Sequence, residues 1–150
     1  MNQEIPTLIW RHRRENLKKC SLRGLEKRSD MRFFTYPKSA PLISSDYIIL
    51  SLDGEPLSEK DRGLLLLDGT WRLAEKMHTQ LPENLPKRRI PKGFKTAYPR
   101  RQEDCDEPES GLASVEALYI AYTIMGKDPT GLLDHYHWKD LFLERNKGLL

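Results

Sequence analysis

A chain of 150 residues with 38% hydrophobic residues suits one compact core, with room for a small N-terminal subdomain. No apolar run approaches the roughly 20 residues of a membrane span, no secretory signal pattern opens the chain, and Cys20 and Cys105 are too few for a disulfide scaffold or a CxxC zinc pair. A reducing, cytoplasmic setting without a membrane follows, and the net charge of +3 conceals a strong segregation of charge along the chain.

In chain order, Pro6 to Trp10 is short and apolar and predicts a first strand. Arg11, Arg13, Arg14, Lys18, Lys19, Arg23, Lys27 and Arg28 follow, against only Glu15 and Glu26, and the stretch 11–19 is expected to be too charged to bury. Met31 to Tyr36, aromatic and β-branched, predicts a strand, and Pro37 to Pro41 a loop. Tyr47 to Leu52 predicts a buried strand closed by an Asp53-Gly54 turn. Ser58, with Asp61 three residues later, predicts the opening of a short helix. The continuous apolar run Leu64 to Leu67 fits a central strand covered on both faces.

Asp68-Gly69-Thr70 predicts a tight turn, and Trp71 to His78 a helix capped by Asp68 or Thr70. Pro82, Pro86 and Pro91 predict a loop carrying a second basic run, Lys87, Arg88, Arg89, Lys92, Lys95, Arg100 and Arg101, with no acid in between. Within it, Phe94 to Tyr98 predicts a further strand, and an acidic stretch from Glu103 to Glu109 follows. Val115, Leu118, Tyr119 and Tyr122 recur at helical spacing. Asp128-Pro129 predicts the start of a last helix through Leu132, Leu133 and Tyr136. Strands alternating with helices argue for an α/β fold with a mainly parallel sheet.

Two segments carry candidate chemistry. In the first, a buried strand runs into Asp68, Gly69 and the helix that opens on Trp71; in parallel sheets, ligands bind at the carboxyl ends of strands. A carboxylate there can accept ligand hydrogen bonds or a proton, and a tryptophan offers a flat face to an adenine or a sulfonium cation. A helix cap and a core tryptophan explain the same residues. In the second, Ser110-Gly111-Leu112-Ala113-Ser114 leads into a helix whose first-turn N–H groups can hold a carboxylate, with Glu116 complementing the dipole. His12, His78, His135 and His137 lack metal-ligand spacing, and no metal site is predicted. GxGxxG, Walker and GxSxG patterns are absent. The two basic runs would form one phosphate-binding face if the fold brought them together.

The segment Leu65 to Met77, LLLDGTWRLAEKM, resembles the DTW-domain family, and Tyr98-Pro99-Arg100-Arg101 with GLASVEAL resembles that family's second signature. Lys18-Lys19-Cys20-Ser21, Leu57 to Arg62 and Trp138 to Asn146 resemble a related branch, the ribosome-biogenesis aminocarboxypropyltransferases of small-subunit rRNA. The resemblance spans residues 18–150 and implies a SPOUT-like α/β fold with a C-terminal knot. Residues 1–45 would form a basic, RNA-facing N-terminal subdomain and 46–150 the cofactor-binding core.

It also implies a monomeric enzyme that transfers the aminocarboxypropyl group of S-adenosylmethionine to N3 of a uridine or pseudouridine in rRNA or tRNA. By the same match, Leu67 would offer a backbone oxygen to the ribose, Trp71 and Ala74 would wall in the methyl group, and Ser21 and Ser114 would hold the carboxylate. Thr96 and Ala97 would lie beside the adenine, Leu112 would complete the cofactor set, and Asp68 would be the candidate base. Arg11, Arg13, Arg14, Lys18, Lys19, Lys87, Arg88, Arg89, Arg100 and Arg101 would face RNA at the mouth of the cleft. A SPOUT-type RNA methyltransferase and a non-catalytic RNA-binding assembly factor are the alternatives.

Overall fold

The computed structural model describes residues 5–14, 21–69, 71–98 and 112–150, with the backbone alone at Trp71. Its framework is a six-stranded sheet in the order β2-β1-β5-β3-β6-β4, in which every pairing is parallel. The strands are β1 (Thr7–His12), β2 (Met31–Tyr36), β3 (Tyr47–Ser51), β4 (Glu55–Pro56), β5 (Gly63–Asp68) and β6 (Lys87–Arg89). The helices are α1 (Trp71–His78), α2 (Ser114–Met125) and α3 (Lys139–Arg145).

Strand alternation sorts the core into two layers. Leu8, Trp10, Ile49 and Leu65 meet Met77 of α1 on one face. Ile9, Ile48, Leu64 and Leu66 meet Leu118, Tyr122 and Phe142 of α2 and α3 on the other. Leu64 and Leu65 are both fully buried, as expected for a central strand covered on both sides. Residues 1–45 contribute β1 and β2 to this same sheet, with β1 hydrogen-bonded between β2 and β5.

α2 is buried almost all round and ends where Gly126 adopts φ 76°, a left-handed conformation that favours glycine, with Lys127 N–H closing back on the Tyr122 carbonyl. The Tyr122 hydroxyl meets Thr7 Oγ1 at 2.8 Å and donates to Asp30, itself gripped by Arg28 through two bonds of 2.8 and 2.9 Å. Burial pushes the Tyr122 hydroxyl well above the usual phenol range, so β1, α2 and the start of β2 are pinned together by a neutral phenol.

Several expectations are corrected. Arg11 and His12 are buried rather than solvated, because β1 runs on through both. No helix follows Ser58: Asp61 turns back to accept the Ser58 N–H, and Gly63 already begins β5. Lys87–Arg89, expected in a loop, pairs with β3 and β4 through backbone alone, which no hydrophobic pattern announces. Phe94 to Tyr98 is irregular, its backbone groups taken by side chains instead of a neighbouring strand. Beyond Asp128 the chain forms turns, since Gly131 at φ 85° breaks the run, and the helix falls later, at α3.

Candidate functional site at the carboxyl edge of the sheet

In a parallel sheet all carboxyl ends share one edge, and here the ends of β1 and β5 lie side by side. Register sets Arg11 directly opposite Asp68, and both side chains emerge on the α2 face. Asp68 is tied across the sheet. Its Oδ2 accepts from Arg11 Nε at 3.0 Å, and its Oδ1 lies 3.5 Å from the Ser114 hydroxyl at the start of α2. Arg11 spans further, donating from Nη1 to Glu26 Oε1 at 3.3 Å while its guanidinium stacks 4.9 Å above the Phe33 ring. Asp68 is 3% exposed and Arg11 8%. Burial alone would raise the Glu26 carboxyl, but hydrogen bonds from its own backbone and from Arg11 outweigh it and hold the group below its usual range.

The start of α2 is the second wall. Ser21 Oγ accepts the Val115 N–H at 3.1 Å, filling one orphan donor of the first turn. Glu116, the single acid of α2, is fully buried and accepts four donors: Thr96 Oγ1 at 2.6 Å, the N–H groups of Ala97 and Ala113 at 2.8 Å, and the Tyr136 hydroxyl at 3.0 Å. The segment 95–98 is gripped from α3 as well. Asn146, fully buried, exchanges bonds of 2.7 and 2.8 Å with the Lys95 backbone, and Arg145 donates to the Thr96 carbonyl at 2.7 Å.

The third wall is the β5–α1 connection. Leu67 is the penultimate residue of β5, and Trp71 and Ala74 belong to the first turn of α1. His12 closes this side. Its Nδ1 accepts the Arg14 N–H, its ring lies 5.2 Å from that of Tyr36, and a Cβ at Gly69 would approach its Cβ to 3.3 Å. Burial, followed by the charges of Arg14, Arg13 and Lys76, lowers its pKa below the usual imidazole value. Its Nδ1 accepts, so the neutral ring carries its proton on Nε2.

The structure thus brings Ser21, Asp68, Thr96, Ala97 and Ser114 into one hydrogen-bonded neighbourhood, with Leu112 just before α2. Of the expected RNA-facing cations, Arg13 and Arg14 are exposed just beyond β1. Arg11 is not among them on the surface. Lys87 pairs with Asp53 at 3.4 Å, Arg88 pairs with Asp61 at 3.2 Å, and Arg89 is half-buried. Three strand spacings, about 14 Å, separate β1 from β6, and both run toward the same edge. Lys18, Lys19, Arg100 and Arg101 lie outside the described residues. Among the described residues, no group of three or more His, Cys, Asp or Glu side chains is placed to hold a metal.

Sequence reasoning missed the Arg11–Asp68 pair, whose members are 57 residues apart and meet only through strand register. It saw Glu116 as a dipole complement and missed the four-donor hub, although one acid in an apolar helix was a signal. Asn146 was legible only as the last residue of the closing motif.

The fold and its edge site define a parallel-sheet α/β protein with a buried cluster of polar side chains where the ends of β1 and β5 meet the start of α2. No protein-family model matches the chain, and no curated protein matches it. Among solved structures it is similar to the SAM-dependent rRNA:acp-transferase Tsr3 from Vulcanisaeta distributa, with TM-score 0.70 and 26% identity over 95% of this chain and 79% of that one.

Proposed function

We propose that this chain is an S-adenosylmethionine-dependent RNA aminocarboxypropyltransferase acting on N3 of a uridine or pseudouridine, with rRNA as the first substrate class to test and tRNA as the second. One observation carries the proposal. Ser21, Thr96, Ala97 and Ser114, four of the residues that the resemblance assigns to the cofactor, lie around the start of α2 in a chain whose fold is similar to that of Tsr3.

The donor set fits such a cofactor. Hydroxyls at Ser21 and Ser114 and the first-turn N–H groups of α2 suit a carboxylate. The clamped backbone of 95–98 suits an adenine edge, and the resemblance assigns the Leu67 backbone oxygen to the ribose. Bound S-adenosylmethionine supplies a sulfonium with three attackable carbons. The protein's task is then positioning. By the resemblance, Trp71 and Ala74 would cover the methyl group, and the α2 start would hold the arm so that its methylene faces the base. The chemistry such a cofactor would supply is alkyl transfer: the uridine nitrogen would gain that methylene as the carbon–sulfur bond broke, and methylthioadenosine would leave with the electron pair on sulfur. Asp68, at the end of β5, is our candidate for the base that takes the imide proton.

The target base is taken out of its stack. Residues 1–45 serve as the RNA-facing part, with Arg13, Arg14, Lys18 and Lys19 holding phosphates together with Lys87, Arg88, Arg89, Arg100 and Arg101. The proposal extends to a SPOUT-like C-terminal knot, a monomeric state and a cytoplasmic location. No helix among the described residues is long and apolar enough to cross a membrane.

Mass spectrometry of bulk RNA from a strain lacking the gene tests the reading. Loss of an aminocarboxypropyl-uridine or -pseudouridine is expected. Loss of a methyl group instead would make the chain a methyltransferase, and an unchanged RNA would make it a non-catalytic factor.

A further inference from the structure

The geometry points to Arg11 as a positioning residue for the amino-acid arm of the cofactor, an inference that rests on the site being an S-adenosylmethionine receptor. Arg11 is buried at the end of β1, with its guanidinium enclosed by Asp68, Glu26 and the Phe33 ring. A cation so enclosed does not reach a phosphate backbone. A buried ion pair is also a weak source of stability, since desolvation offsets much of its attraction. What the bridge does is join two segments distant in sequence. One is the end of β5, where Asp68 Oδ1 lies beside the Ser114 hydroxyl. The other is the 21–27 turn, where Glu26 accepts from Arg11 and from the Gly24 N–H at 2.9 Å, and where Ser21 holds the Val115 N–H.

Gly24 fixes the turn from above. At φ 92° it lies under the His135 ring, whose Cδ2 would come within 2.4 Å of an added Cβ. Ser21 and Ser114, the two hydroxyls at the start of α2, are therefore set relative to each other through a guanidinium that binds one carboxylate from each segment. A planar fork can do this; the point charge of a lysine cannot span both acids. The adenine wall at 95–98 is fastened by other side chains, Glu116, Arg145 and Asn146. Arg11 therefore governs the grip on the arm and leaves the grip on the nucleoside alone.

Two ligands separate those grips: S-adenosylmethionine, which has the arm, and methylthioadenosine, which lacks it. Binding of each is measured by calorimetry on the wild-type protein, Arg11→Lys and Glu26→Gln. Glu26→Gln alters a half-exposed partner and leaves the Arg11–Asp68 pair in place, so it keeps the test open if the first variant unfolds. Loss of one charge-assisted bond predicts that S-adenosylmethionine affinity falls about tenfold or more in Arg11→Lys and less in Glu26→Gln, while methylthioadenosine affinity holds in both. Folded variants that bind both ligands as the wild type does, or lose both in parallel, overturn the inference and leave the functional reading standing. A wild-type protein that binds neither ligand overturns the functional reading and the inference with it.

Discussion

Asp68 meets Arg11 through Oδ2 and the Ser114 hydroxyl through Oδ1. Asparagine keeps an oxygen for Arg11 but cannot take a proton. Asp68→Asn is therefore expected to retain cofactor affinity far better than Asp68→Ala and to lower turnover by about 10²-fold or more. Equal turnover, measured in single-turnover transfer to RNA, would leave Asp68 a brace. His12 carries a different signature. Its depressed pKa means that the folded state resists protonation, chiefly through burial and then through Arg14, Arg13 and Lys76. The unfolded chain takes up that proton near the ordinary value of about 6.5. Stability is thus complete above that pH and is lost as the pH falls below it, toward the lower folded pKa. His12→Asn, which keeps an acceptor for the Arg14 N–H, should flatten this loss in urea melts compared between about pH 7.5 and about pH 5.5. Melts with the same pH slope in variant and wild type would assign the titration elsewhere.

At the scale of elements, the 95–98 segment does a strand's work without a strand's partners. Asn146 bonds both backbone groups of Lys95 and also the Phe142 carbonyl, so one side chain ties the segment to α3. Asn146→Ala removes three bonds from a fully buried site. It should cost stability by about 2–3 kcal/mol, because at least one buried group is left unpaired. It should also weaken S-adenosylmethionine and methylthioadenosine equally, the opposite of the split expected at Arg11. Selective loss of one ligand in calorimetry would contradict this division of labour. The same segment shows where sequence patterns stop being informative. β2, β5 and α1 were legible because burial wrote a pattern into them: aromatic and β-branched residues at the edge strand, a continuous apolar run at the central one, and a breaker before the helix. β6 and 95–98 were misjudged because what fixes them is backbone pairing or distant polar side chains, which leave no local period. Within the candidate site, motif resemblance singled out Asp68, Ser21 and Ser114, whereas the Arg11–Asp68 contact depended on a register no local window contains.

Over the whole molecule, the parallel sheet collects the ends of β1, β5 and β6 at one edge, and charge follows the same geometry. Arg13 and Arg14 extend beyond β1, and Lys76 of α1 lies close enough to add to the potential they create at His12. Arg13→Glu with Arg14→Glu should weaken RNA binding and lower the slope of log affinity against log salt by about 0.7–0.9 for each phosphate no longer neutralised, without altering cofactor affinity. An unchanged slope would place RNA on another face. The central claim, that the site directs the aminocarboxypropyl carbon of the cofactor to a base, is tested most directly by incubating the purified protein with unmodified rRNA and S-adenosylmethionine and weighing both products. The account predicts RNA heavier by one aminocarboxypropyl group, with methylthioadenosine released in equal amount; RNA heavier by one methyl group, with S-adenosylhomocysteine released, would contradict it.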